Sequence, residues 1–376
     1  MQFGLSESQQ ILKNNARKFF AAECSMPEVR RLMETETAHD DRLWRKMTEQ
    51  GFLGVIFPED VGGTGLGIVE LAALTEEMGR ALVPGAYLAT LLAGALIDAA
   101  GSATQRQKYL GAISNGDAKS TLALLESSAS WDIDSIQMPP LTGEKRFVPD
   151  AGVADFLVVA TRQHGELALY IVDGKAVSKT RMPAIDLTRR LYKVGFENCE
   201  GELLASGQAA RKALDRALDI ATVALCAEMT GGMQRTLDIA VEYAKTRKQF
   251  GKPIGQYQAV QHQCADMLIW TESSRSAAYY AAWALDNAFK RPEQESDARV
   301  AVSVAKAYAS DACREVGNRG VQVQGGMGFT WENDTHLYYR RAKASEIAFG
   351  DATFHRERIA RLVVDRVNVR DAVGVS

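Results

Sequence analysis

Three long stretches of helical periodicity, at about residues 208–246, 257–289 and 296–317, are the strongest constraint on this chain, and a further one follows Asp351. Helices of this length bury an apolar stripe only by packing on one another, so the carboxy-terminal part predicts a helical bundle. The second stretch is ended by Arg291-Pro292, since proline breaks the hydrogen-bond ladder. Between about 119 and 206 the texture changes. Short β-branched or apolar runs, at Thr121–Leu125, Phe156–Ala160 and Leu167–Val172, are separated by Gly, Pro, Asp and Asn, which reads as a small antiparallel β domain.

The amino-terminal part is helical. Ser6-Glu7-Ser8-Gln9 has the form of a capping box, and Leu12, Ala16, Phe19 and Phe20 recur at helical spacing behind it. Leu43, Trp44 and Met47 mark a second helix that stops at Gly51, and helical sequence resumes over 68–80, 88–100 and 106–113. The order predicts a mostly α chain with a central β domain: a helical segment 1–118, a β segment 119–206 and a helical bundle 207–376.

Composition narrows the function classes. A net charge of −3 over 376 residues gives no electrostatic reason to expect nucleic acid or an anionic membrane as partner. The longest uncharged stretch, Ala81 to Ile97, contains Pro84 and Gly85 and is shorter than the roughly 20 apolar residues of a membrane span, so it reads as a buried core helix. The first residues lack a basic region followed by an apolar run, which leaves a cytoplasmic location as the expectation. The five cysteines are scattered, with no Cys-x-x-Cys and no histidine pattern beside them, so neither a metal site nor a disulfide framework is indicated.

Two glycine-rich segments, Gly62–Gly67 and Gly325–Gly328, fit neither Gly-x-Gly-x-x-Gly after a strand nor a phosphate-binding loop. Singly, each reads as a turn requiring positive φ. Jointly they carry more. Pro58-Glu59-Asp60-Val61-Gly62-Gly63-x-Gly65, Tyr243-Ala-Lys-Thr-Arg247-Lys-Gln-Phe250-Gly251-Lys-Pro-Ile254 and Val321-Gln322-Val323-Gln324-Gly325-Gly326-Met-Gly328-Phe329 resemble, in order and spacing, the signatures of the acyl-CoA dehydrogenase flavoproteins. The resemblance covers essentially the whole chain. It implies that family's fold, with a helical domain, a small β-barrel domain and a four-helix bundle, and FAD-dependent α,β-dehydrogenation of an acyl-CoA thioester.

Carried residue by residue, the resemblance places Arg247 and Gln322 against an FAD held by a neighbouring subunit. Phe250 falls against the adenine, and Tyr257, Gln258, Val260, Val323, Gly325 and Gly326 are further cofactor contacts. The chemistry suits them: arginine offers a planar fork to pyrophosphate oxygens, and glycine lets backbone approach a ligand closely. A homotetramer or a heterotetramer with a related chain is implied, with an electron-transfer flavoprotein as acceptor.

The same comparison exposes losses. The family's Thr-Glu-Pro-Gly-Ala-Gly-Ser-Asp loop aligns with Leu125 to Asp132, where only Glu126, Ala129 and Asp132 survive. Leu125 and Trp131 replace hydroxyl residues, and Pro149 replaces a threonine in the segment Phe147–Asp150. Phe349 stands where many members carry the glutamate that takes the substrate α-proton, and Ala221 at the alternative position for it. The chain thus resembles a divergent bacterial member without the usual base. The carboxylates left as candidates are Asp351, also suited to cap the closing helix, and Glu228, seven residues from Ala221 and so roughly 10 Å along the same face. A buried ion pair suits Glu228 better. Glu346, one turn before Phe349, is expected to face solvent or pair with Arg341 or Lys343. Two readings stay open: an autonomous dehydrogenase, or a non-catalytic partner subunit of a heteromeric one.

Overall fold

A computed structural model describes residues 4–372. Residues 1–3 of the amino-terminal stretch discussed above and 373–376 lie outside the described residues. The helices are α1 (Glu7–Glu23), α2 (Met26–Met33), α3 (Asp41–Glu49), α4 (Ile68–Arg80), α5 (Tyr87–Ala100), α6 (Ala103–Gln105), α7 (Gly111–Ser114), α8 (Gly207–Thr246), α9 (Gln258–Lys290), α10 (Glu295–Gln324), α11 (Thr335–Ile347) and α12 (Ala352–Ala372). The strands are β1 (Ser120–Ala123), β2 (Thr142–Pro149), β3 (Phe156–Gln163), β4 (Glu166–Asp173), β5 (Ser178–Met182), β6 (Leu191–Glu197), β7 (Glu202–Ser206) and the two-residue β8 (Lys248–Gln249) and β9 (Lys252–Pro253). The chain is therefore mostly helical with a central β region. None of the described helices is long and apolar enough to cross a membrane.

The contacts gather these elements into two compact units, whose limits do not follow the three segments 1–118, 119–206 and 207–376. One unit holds the described residues up to Met26, Ile68–Val83 and those from Thr222 onward; the other holds Pro27–Gly67 and Pro84–Ala221. Helix α8 runs through both.

In the first unit the amino-terminal capping box forms: Ser6 Oγ accepts from Gln9 N, and Ser6 N donates to Gln9 Oε1 at 2.8 Å. Helices α1, α4 and α9 pack together around a charged cluster. Glu76 accepts from Lys13, Arg275 and Tyr279, while Arg17 makes a two-point bond with Glu77. Close approach of α4 to α8 depends on two glycines. A Cβ on Gly79 would lie 1.9 Å from Glu228 O, and one on Gly231 1.8 Å from Glu76 O.

Helix α10 runs seven residues beyond the expected stop at 317. Gly317 and Gly320 do not end it; they admit neighbours, Tyr339 at the first and Thr236 at the second. Helix α11 is not foreseen from the sequence because its buried face is mostly polar, with Thr335, His336, Arg341 and Ser345 inward beside only two adjacent core residues, Leu337 and Tyr338. Apolar periodicity cannot reveal such a helix.

In the second unit β1-β3-β4-β7 form one sheet and β2-β6-β5 another, and both contribute to one core that includes Leu157, Val159, Tyr170, Val194 and Phe196. The expected all-antiparallel pairing fails at one place: β1 and β3 run parallel, Ser120 facing Phe156. The intervening β2 belongs to the other sheet, so the chain returns to β1 from the same end. Helix α5, buried on every side from Tyr87 to Ile97, packs on β1 and β3, which explains why β3 is apolar on both faces. Arg190 is fully enclosed here. Its guanidinium donates to the carbonyls of Met33, Thr35, Glu36 and Leu187.

Candidate functional site

At the end of α8 the helical ladder still closes, Arg247 N donating to Tyr243 O at 2.8 Å, and the chain then turns through a minimal hairpin. Lys248 pairs with Pro253 and Gln249 with Lys252. The tip, Phe250-Gly251, has φ of +51° and +83°, the left-handed pair a type I′ turn requires. Glycine meets that demand without strain; phenylalanine does not. Phe250 is nevertheless 91 % exposed, so no burial compensates the strain within the chain. Tyr257 braces the hairpin: its hydroxyl donates to Gln249 O at 3.1 Å, Lys252 Nζ lies 4.4 Å from its ring centre, and Phe250 meets it edge-on. Arg247 is exposed, and among the described residues its guanidinium has no hydrogen-bond or ion-pair partner.

The second arm is the end of α10. Helices α9 and α10 are consecutive, joined by Pro292–Gln294, and pack on each other, so the start of α9 and the end of α10 lie at the same end of the pair. Arg319 over the Trp270 ring, at 5.6 Å, and Met267 beside Gly320 confirm the match. The hairpin and the Gln322–Gly326 segment thus lie toward the same end of this unit.

Gln322 is exposed, as are Gln258, Gly325 and Gly326, while Val260 is half-buried. Val323 is 7 % exposed, its side chain within the helical packing, so any contact it offers outward comes from its backbone. Gly325 adopts φ +59°, ψ −139°, a region only glycine occupies, and a Cβ at Gly325 or Gly326 would meet nothing within 4 Å. Behind this turn Gln324 is tied to Thr335 and Asn333. The arrangement is a braced backbone carrying an unpartnered guanidinium, an exposed ring, an exposed amide and an open glycine face. It fits a flat aromatic group linked to an anion, presented from outside the unit.

The carboxylate candidates are engaged elsewhere. Glu228 is buried and pairs with Arg341 Nη1 at 2.6 Å, as expected of an ion pair. Asp351 is exposed, and its Oδ1 accepts from Phe354 N at 2.8 Å at the start of α12. Glu346 pairs with Lys343 and with Arg314, each at 2.7 Å, rather than with Arg341. Phe349 is buried with φ +58°.

In the other unit the loop after β1 is held by Glu126, which accepts from Gln137 N, Met138 N and the buried Lys145 ammonium at 2.8 Å. Burial alone would raise the Glu126 pKa, but Lys145 and the two backbone donors bring it below the ordinary carboxylate range. Leu125 is buried and offers no side-chain donor, and Pro149 O accepts from Thr121 Oγ1 at 2.6 Å. These residues do not supply hydroxyl donors for a flavin ring. Of the ten non-glycine residues with positive φ among those described, Ala129, Phe147, Asp150, Phe250 and Phe349 all fall in the segments singled out from sequence. Backbone strain concentrates where the motifs are.

The described residues match two family models, acyl-CoA dehydrogenase N-terminal domain over residues 6–117 and acyl-CoA dehydrogenase C-terminal domain over 211–364. The chain belongs to the acyl-CoA dehydrogenase family. It is 32 % identical over 340 residues to acyl-CoA dehydrogenase IpdE2 of Mycobacterium tuberculosis, covering 90 % of this chain and 92 % of that one. Among solved structures it is similar to a chain of the ChsE4–ChsE5 complex from Mycobacterium tuberculosis, with a TM-score of 0.86, 28 % identity and coverage of 97 % and 99 %. It is also similar to a chain in the electron transferring flavoprotein structure of Acidaminococcus fermentans, with a TM-score of 0.85, 28 % identity and coverage of 96 % and 99 %.

Proposed function

We propose that this chain serves the FAD-dependent α,β-dehydrogenation of an acyl-CoA thioester. The observation that carries the reading is the outward-facing set Arg247, Phe250, Gln322 and Gly325-Gly326 on a strained, braced backbone in a chain of this family. Bound FAD would supply the hydride acceptor. Arg247 would hold the pyrophosphate, Phe250 would cover the adenine, Gln322 would donate or accept beside it, and the two glycines would let backbone approach. The electron acceptor is an electron-transfer flavoprotein, a reading supported by the similarity to a chain in such a structure. The assembly is a homotetramer or a heterotetramer with a related chain, in the cytoplasm.

A second reading is favoured by one specific observation. Both positions for the base hold groups that cannot take a proton, Phe349 and Ala221, and the remaining carboxylates Glu228 and Asp351 are bonded in structural roles. On this reading the chain is a non-catalytic partner subunit that supplies cross-interface FAD contacts to a related, glutamate-bearing chain. Purification decides between the two. An autonomous enzyme is yellow alone and loses flavin absorbance on adding its acyl-CoA. A partner subunit is colourless alone and forms a yellow, active complex only with its relative.

A further inference from the structure

The link between α11 and α12 is held by two buried polar side chains that no cofactor contact uses. Lys306 on α10 is completely enclosed, and its three ammonium hydrogens go to Ser310 Oγ at 2.8 Å, Glu346 O at 3.0 Å and Gly350 O at 2.8 Å. Ser310 Oγ in turn donates to Glu346 O at 3.2 Å. The Glu346 carbonyl belongs to the last turn of α11, so the ammonium also sits at the negative end of that helix. His355 on α12 is 1 % exposed, and its Nε2 lies 2.9 Å from Phe349 O. A carbonyl oxygen only accepts, so Nε2 must carry the proton; Nδ1 is buried without a partner.

Every one of these bonds to the link ends on a main-chain carbonyl. None depends on the side chain at 349. The backbone they hold is strained, with φ +58° at Phe349, and is followed by Gly350 at +96°, where a Cβ would lie 2.2 Å from the Phe354 ring. A bulky residue in the left-handed region persists only where its surroundings over-determine it.

We propose that Lys306 and His355 are positioning residues that fix the backbone of the Phe349-Gly350 turn, and with it the direction of whatever side chain stands at 349. The inference rests on the reading above only in placing that side chain at the acyl-CoA site. There Phe349 presents a fixed apolar face to the acyl thioester rather than a proton acceptor.

The test labels the full-length chain with 4-fluorophenylalanine and assigns the Phe349 fluorine resonance by its loss in Phe349→Leu. In Lys306→Met and in His355→Leu the Phe349 resonance shifts by more than its linewidth and broadens, while most of the other phenylalanine signals stay in place. His355→Gln, whose amide can still donate to the carbonyl, restores the wild-type position. An unmoved Phe349 signal in His355→Leu overturns the proposal, whether or not Lys306→Met folds. So does a Gln variant that behaves like Leu. The cofactor reading is judged separately, on flavin retention in Arg247→Ala, so the two fail independently.

Discussion

Glutamine at position 228 separates a structural carboxylate from a catalytic one. Glu228 and Arg341 are 5 % and 7 % exposed at their side chains and 2.6 Å apart. Removing one partner of such a pair strands a buried charge and costs about 3–5 kcal/mol, whereas replacing both by apolar groups of similar volume is close to neutral. Arg341 keeps a second bond, Nη2 donating to Val83 O at 3.2 Å, so the lower end of the range applies to Glu228→Gln. At about 2–4 °C per kcal/mol for a cooperative unit of this size, the melting temperature falls by roughly 6–12 °C. The assay is thermal unfolding at fixed chain concentration, run on Glu228→Gln, Arg341→Met and the double variant Glu228→Leu/Arg341→Met. The singles drop and the double recovers most of the loss. A Glu228→Gln variant that melts like wild type but loses all turnover would refute the ion-pair account and make Glu228 the base.

Three further outcomes follow from the packing and charges. Arg190→Lys leaves at least one of the carbonyls of Met33, Thr35, Glu36 and Leu187 without a donor, since four carbonyls face a lysine's three hydrogens. Stability falls by about 1–3 kcal/mol, read as a lowered denaturant midpoint with an unchanged slope. Gly231→Ala drives a methyl into Glu76 O, forcing α4 from α8, and lowers stability by about 3 kcal/mol, while Gly232→Ala, whose Cβ meets nothing closer than 3.9 Å, changes it little. Glu76 gives a pH dependence. Burial opposes its charge, but Lys13 and Arg275 outweigh that and hold its pKa below the ordinary carboxylate value. A depressed folded pKa stabilises above the unfolded value, and that share is lost as pH falls through the folded one. Melting temperature should therefore drop on acidification below about pH 4.5, the ordinary value from which Glu76 is lowered, and less steeply in Glu76→Gln.

The long helices, the capping box at Ser6 and the β segment were legible because apolar periodicity and turn residues report directly on local structure. Helix α4 begins at Ile68 and ends at Arg80 as its pattern indicated. What stayed hidden was tertiary. The mostly polar inward face of α11 erased its periodicity, and the parallel pairing of β1 with β3 depends on which sheet the intervening strand joins. The stop expected at 317 was placed too early, because Gly317 and Gly320 serve the close approach of Tyr339 and Thr236, which only packing brings in. At the candidate site, the family resemblance singled out Arg247, Phe250, Gln322 and the glycine turn. It could not show that Tyr257 braces the hairpin or that Val323 points inward. Lys306 and His355 went unread because a buried lysine in an alanine-rich helix and a histidine near a terminus carry no motif, and their bonds to carbonyls exist only in the folded chain.

Flavin retention in Arg247→Ala is the decisive measurement, because both proposed assemblies rely on that residue to hold the cofactor. The chain, with any relative that copurifies, is stripped of excess cofactor, and bound flavin per chain and FAD affinity are measured for wild type and variant. A charge-assisted bond to phosphate contributes about 1.5–3 kcal/mol, and at 1.4 kcal/mol per tenfold change the variant should bind FAD roughly 10- to 100-fold more weakly. Equal flavin content and affinity in an otherwise intact Arg247→Ala assembly would contradict the account.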